Sequence, residues 1–118
     1  MKIVLGVALI ASALTEFLAA AALIGGPAGI QAAGMGELWS MHYGFAVLAI
    51  ASISIWIWPH RYDRKTVTPA LLTLMVFHIG LCLSLMLAGD QAVGMIIHGI
   101  LALLFITLLV KRASFTAQ

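Results

Sequence analysis

Glu16, His42, His78 and His98 are ionisable side chains placed one in each of four apolar segments. An ionisable group in a lipid-soluble helix is costly, so such groups turn toward the interior of a helix bundle and toward one another. Three imidazoles and a carboxylate form a nearly complete coordination sphere for zinc, iron, manganese or copper. Two level histidines on different helices also suit axial ligation of haem b. Without a metal, the same groups could act as acids and bases on a sterol- or isoprenoid-like substrate, in isomerase or cyclase chemistry. In series they could relay protons.

The residue four positions after each of the four lies on the same helix face, and it is small every time: Ala20, Ala46, Cys82 and Ala102. Small neighbours leave room for a bulky group such as a porphyrin, or let helices approach closely. These four positions are therefore expected to border a cofactor, with His78 and His98 as its axial ligands. Met75 and Met95, each three residues before a histidine, and Cys82 add soft donors that copper would accept, although methionine in such helices is ordinarily packing. No local spacing is diagnostic of a metal in the way HExxH is.

Elements that could hold such a site follow from composition. Hydrophobic residues make up 64% of the 118 positions, charged residues 8%, and the mean hydropathy is +1.15, which excludes an ordinary soluble domain. An all-α, integral membrane, antiparallel four-helix transmembrane bundle is expected, forming a single domain over residues 1–118. Four segments reach the roughly 20 residues needed to cross a hydrocarbon core: about 3–24, 38–58, 67–88 and 92–110. Between them lie the Gly- and Pro-bearing run from 25, the 59–65 run with Pro59, and the 88–91 turn. Pro69 is read as first-turn residue of the third helix. Met1–Lys2 and the apolar run after it also fit a signal peptide, but Glu16 interrupts that run, and a retained helix is expected.

Helical arithmetic gives depth. In an antiparallel hairpin, residues equidistant from the turn are level; the midpoint of 78 and 98 is 88, at the third turn, and that of 16 and 42 is 29, inside the first connection. All four groups are thus expected at one level, to within about one turn, or 5 Å. Ser12, Thr15, Glu16, Ala19 and Ala20 form one face of the first helix, which should point inward.

The six basic residues, Lys2, Arg61, Arg64, Lys65, Lys111 and Arg112, all fall at helix ends. They speak of topology and give no sign of nucleic acid. The first and third connections carry none and border Glu37 and Asp90, so both termini should face the cytoplasm, with the site in the outer half of a multi-pass protein of a bacterial inner membrane. Trp56 and Trp58 would mark the inner interface and Trp39 the outer one. His60 reads as a loop residue, and Tyr43 and Tyr62 as interfacial. One cysteine, Cys82, excludes an intramolecular disulfide. The expected partners are the bilayer, a lipophilic small molecule, and a second copy or a larger membrane complex. The leading expectation is a metal cofactor, haem b or a non-haem ion, serving redox chemistry. The alternatives are a cofactor-free acid–base enzyme and a proton relay or accessory subunit.

Overall fold

The computed structural model describes residues 1–25, 35–89 and 91–116, with backbone alone for 25 and 35–40. Gln31 with most of the first connection, Asp90, and the side chains of Glu37 and Trp39 lie outside the described residues. The chain is helical: α1 (Lys2–Gly25), α2 (Met35–Trp56), α3 (Arg64–Ala88) and α4 (Ala92–Val110), with 3-10 turns at Trp58–His60 and Arg112–Ser114. Three of these, α1, α3 and α4, are long and apolar enough to cross a membrane; the described apolar stretch of α2, Met41–Trp56, is shorter.

Boundaries follow local chemistry. α4 begins and ends where the apolar run does. α2 stops at Trp56, because Pro59 lacks an N–H and disfavours helical backbone before it. α3 starts three residues earlier than the apolar pattern suggests. Asp63 caps it, its carboxylate accepting from the Lys65 and Thr66 amides and from the Thr66 hydroxyl. Pro69 consequently falls in the second turn of α3, not the first. At the other end Gly89 adopts φ +81°, a left-handed conformation that costs glycine nothing, and its N–H donates to the Leu85 carbonyl at 3.1 Å.

The residues group into two compact units, 1–8 with 57–118 and 9–56. In the first, α3 and α4 form an antiparallel hairpin. A Cβ added at Gly94 would lie 3.1 Å from Leu85, and one at Gly99 3.4 Å from Cys82 Sγ, so contacts run in opposite directions along the two helices. The buried stripe of α3 is Val67, Ala70, Leu71, Leu74 and His78; that of α4 is His98, Leu101, Ala102, Phe105 and Leu108. Both follow the helical repeat of one inward face. In the second unit α1 and α2 meet at Gly44, where an added Cβ would come within 2.6 Å of Ile24 Cγ1 and 3.0 Å of Leu23 Cβ. No larger residue fits that crossing without displacement.

Basic residues collect at one end of the first unit. Lys2 Nζ stands 5.0 Å from the centre of the Tyr62 ring, and the Arg61 guanidinium lies over both Trp58, at 4.4 Å, and Tyr62, at 4.7 Å. The 3-10 turn Arg112–Ser114 packs against α3 as well as α4, so the end of the chain returns to the same region. Phe115 is buried there.

Candidate metal centre

His78 and His98 face each other across the α3–α4 hairpin with Nδ1 atoms 2.9 Å apart. Each is a member of its helix's buried stripe: His78 is fully buried and His98 is 7% exposed. Phe105 stacks on His78 at 5.4 Å between ring centres and 10° between planes. Phe77 meets His78 and His98 edge-on, at 5.3 and 6.4 Å. These contacts hold the imidazole planes in place, as a ligand set requires.

A nitrogen–nitrogen contact at 2.9 Å needs one N–H and one lone pair, so the two rings share a proton through this contact. It is also a coordination edge. With metal–nitrogen bonds of about 2.05 Å, nitrogens at that separation subtend about 90° at the ion, and a tetrahedral ion would require them to open to about 3.4 Å. Either change is less than one bond radius. Axial ligation of haem is different, because nitrogens on opposite faces of a porphyrin stand roughly two metal–nitrogen bonds, about 4 Å, apart with the macrocycle between them. Direct contact of the rings, 5.2 Å between centres, fills the space a porphyrin would need. The haem arrangement expected for this pair therefore does not fit its geometry.

In the second unit Glu16 is fully buried, in line with Leu9, Ser12 and Ala20 on α1. Of the face expected to point inward, Ser12, Glu16 and Ala20 are buried, and Thr15 and Ala19 are half-buried. α2 buries Gly44, Val47, Ala51 and Ser54. His42 is exposed, as is Ala46 one turn later, because two residues before Gly44 means about 200° around the helix. Depth separates them further. Glu16 lies seven and eight residues before Leu23 and Ile24, about 11 Å along α1, whereas His42 is about 3 Å along α2 from Gly44, which those residues touch. The expected midpoint of 29 does not hold, because α2 begins at Met35 and Gly44 packs level with Leu23 and Ile24. His42 is accordingly not level with Glu16.

Of the expected neighbours, Ala20 and Ala102 are buried. Cys82 is a half-buried free thiol. Cys82, Gly99 and Ala102 floor a shallow apolar groove of about 320 Å³ walled by Ile79, Leu83, Leu103 and Ile106. Met75 and Met95 are half-buried, and His60 is exposed. Sequence reasoning did not single out Phe77, Phe105 or Ser54. Phe105 was legible as seven residues, two turns, beyond His98 on the same stripe, and Ser54 as ten beyond Gly44. No protein family, curated protein or solved structure matches the chain.

Proposed function

We propose that this is a membrane-embedded metal-binding protein whose centre is the His78–His98 pair, with the Glu16 carboxylate as third ligand and a non-haem transition-metal ion as occupant. The observation that carries the reading is the 2.9 Å contact of two buried imidazole nitrogens, a separation that a metal ion spans with almost no rearrangement. Glu16, His78 and His98 are each buried, and a carboxylate oxygen with two imidazole nitrogens is a donor set suited to zinc, iron or manganese. Charge supports the carboxylate. A divalent ion held by imidazoles alone would leave two uncompensated positive charges in a low dielectric, and Glu16 removes one of them. The remaining charge favours hydroxide or an anionic substrate at the open position. Iron, copper or manganese would give the centre redox chemistry, and zinc would make it a Lewis acid. His42, exposed on α2, takes no part.

The test is metal loading of the purified protein in detergent after chelation. One cobalt(II) per chain should bind with visible ligand-field absorption. Binding should be lost in His78→Ala and in His98→Ala, and Glu16→Gln should weaken it by more than the 10- to 100-fold typical of outer-shell partners. Cobalt bound equally by the histidine double variant would refute the centre; equal affinity in Glu16→Gln would remove Glu16 alone from it.

One observation favours a second reading, acid–base catalysis on a lipophilic substrate. The apolar groove over Cys82, Gly99 and Ala102 starts one turn from the shared proton of the histidine pair, so an isoprenoid-like chain lying there would bring its head toward that proton. Activity retained in a metal-free preparation would select this reading over the first.

A further inference from the structure

We propose that the basic end of the first unit is a headgroup site for an anionic phospholipid, built on Tyr62 with Lys2 and Arg61. Two cations flank one ring. Lys2 Nζ and the Arg61 guanidinium each lie within 5.0 Å of the Tyr62 centre, so they are at most about 10 Å apart, a distance at which like charges repel unless an anion sits near both. Arg61 is pre-organised. Its guanidinium lies over the Trp58 and Tyr62 rings, and one N–H₂ donates to the Trp58 carbonyl, which leaves other N–H groups of the fork available. Arg64 and Lys65 follow in the first turn of α3, and Lys111 and Arg112 close α4.

Among the described residues of the unit one carboxylate, Asp63, stands against this charge, and it offsets one of six cations. Asp63 is the acidic residue at this end, and both its oxygens are used in capping α3. The complementary anion must come from outside the chain. Apolar surface adjoining the cations decides its kind: Ile3, beside Lys2, is 82% exposed, and Val110, beside Lys111, is 73% exposed. A ligand with a phosphate head and acyl tails satisfies both surfaces at once, whereas free phosphate meets only the first. Phosphatidylglycerol has this chemistry, and Arg61 can grip its phosphate with two parallel N–H donors.

The experiment measures the association of spin-labelled phosphatidylglycerol and phosphatidylcholine with the full-length protein in bilayers of unlabelled phosphatidylcholine. The wild type should prefer the anionic lipid, and the preference should fall as salt is raised from about 0.05 to 0.5 M. In the Lys2→Gln, Arg61→Gln double variant the association constant should drop about 30-fold, at roughly fivefold per basic residue. The salt series needs no variant, so a folding defect cannot obscure the result. Equal association of the two lipids with the wild type, or full preference in the double variant, would overturn the site. Displacement of the labelled lipid by millimolar inorganic phosphate would overturn the lipid as its occupant and assign a free anion instead.

Discussion

Replacing His78 with Phe and His98 with Leu, singly and together, should show a coupling that identifies the imidazole contact as a formed hydrogen bond. Either single change deprives a buried Nδ1 of the ring nitrogen 2.9 Å away. A buried polar group that loses its partner costs about 1 to 3 kcal/mol. Phe at 78 retains the stack on Phe105, and Leu at 98 nearly conserves volume, so cavity formation adds little; each single variant should lose about 1.2 kcal/mol. In the double variant no imidazole remains at either position, the apolar stripes of α3 and α4 become continuous, and stability should return to within about 1 kcal/mol of wild type. Interhelical hydrogen bonds in lipid average about 0.6 kcal/mol of coupling with a ceiling near 1.7. With exposures of 0 and 7%, water cannot compete for these nitrogens, and the coupling should lie near the ceiling.

The assay is reversible unfolding in mixed micelles of increasing dodecyl sulfate fraction, followed by circular dichroism. Chelator must be present throughout, because metal bound to the folded state alone would add its own stabilisation to the wild type. Strict additivity of the two single losses, with coupling below about 0.3 kcal/mol, would mean the rings do not bond, and the metal centre built on them would fall with it. A double variant that is as stable as wild type yet binds no cobalt would show that the histidines are retained for function at the expense of a simpler apolar core.

Two further outcomes test other parts of the structure. The Thr66 hydroxyl, followed by the amides of Lys65 and Thr66, holds the Asp63 carboxyl below its ordinary value of 3.8; stabilisation from this cap should be complete above about pH 4 and disappear as pH falls through the lowered value. Asp63→Asn, which still caps but does not titrate, should flatten that part of the pH–melting curve, and an unchanged slope would exclude Asp63 as its source. For topology, in a Cys82→Ala background, Gln91→Cys should react with an impermeant maleimide in intact cells and Tyr62→Cys only after permeabilisation; the reverse pattern would put both termini outside.

The hairpin was readable from sequence because its information is local. The limits of α4 coincide with an uninterrupted apolar run, Gly89 marks the turn, and a three-residue connection leaves the register of His78 against His98 little freedom. Asp63 was readable in principle, as an aspartate directly before a helix with threonine three residues on, but the hydropathy of the run from Val67 outweighed it. The α1–α2 register was not readable. Nothing in the connecting run states where the second helix starts, and the crossing is set by steric fit at Gly44, a property of two surfaces that no single segment displays. His42 failed for the same reason: its type resembles that of His78, but its phase relative to Gly44, Val47, Ala51 and Ser54 turns it outward.

The hairpin also fixes when the imidazole pair can come into being. Glu16 and His98 are separated by 82 positions; at about 5 to 20 residues per second that is roughly 4 to 16 s of synthesis. Two antiparallel helices joined by three residues pair on a far shorter timescale, about milliseconds or less for such local contacts. The imidazole pair thus forms almost as soon as α4 is complete. The carboxylate-bearing helix has by then long been made, and no histidine pair exists until α4 does. Chains ending before His98 would carry every apolar feature of α1 to α3 and no imidazole pair, so under the proposed reading no ion could load at that pair before α4 is made.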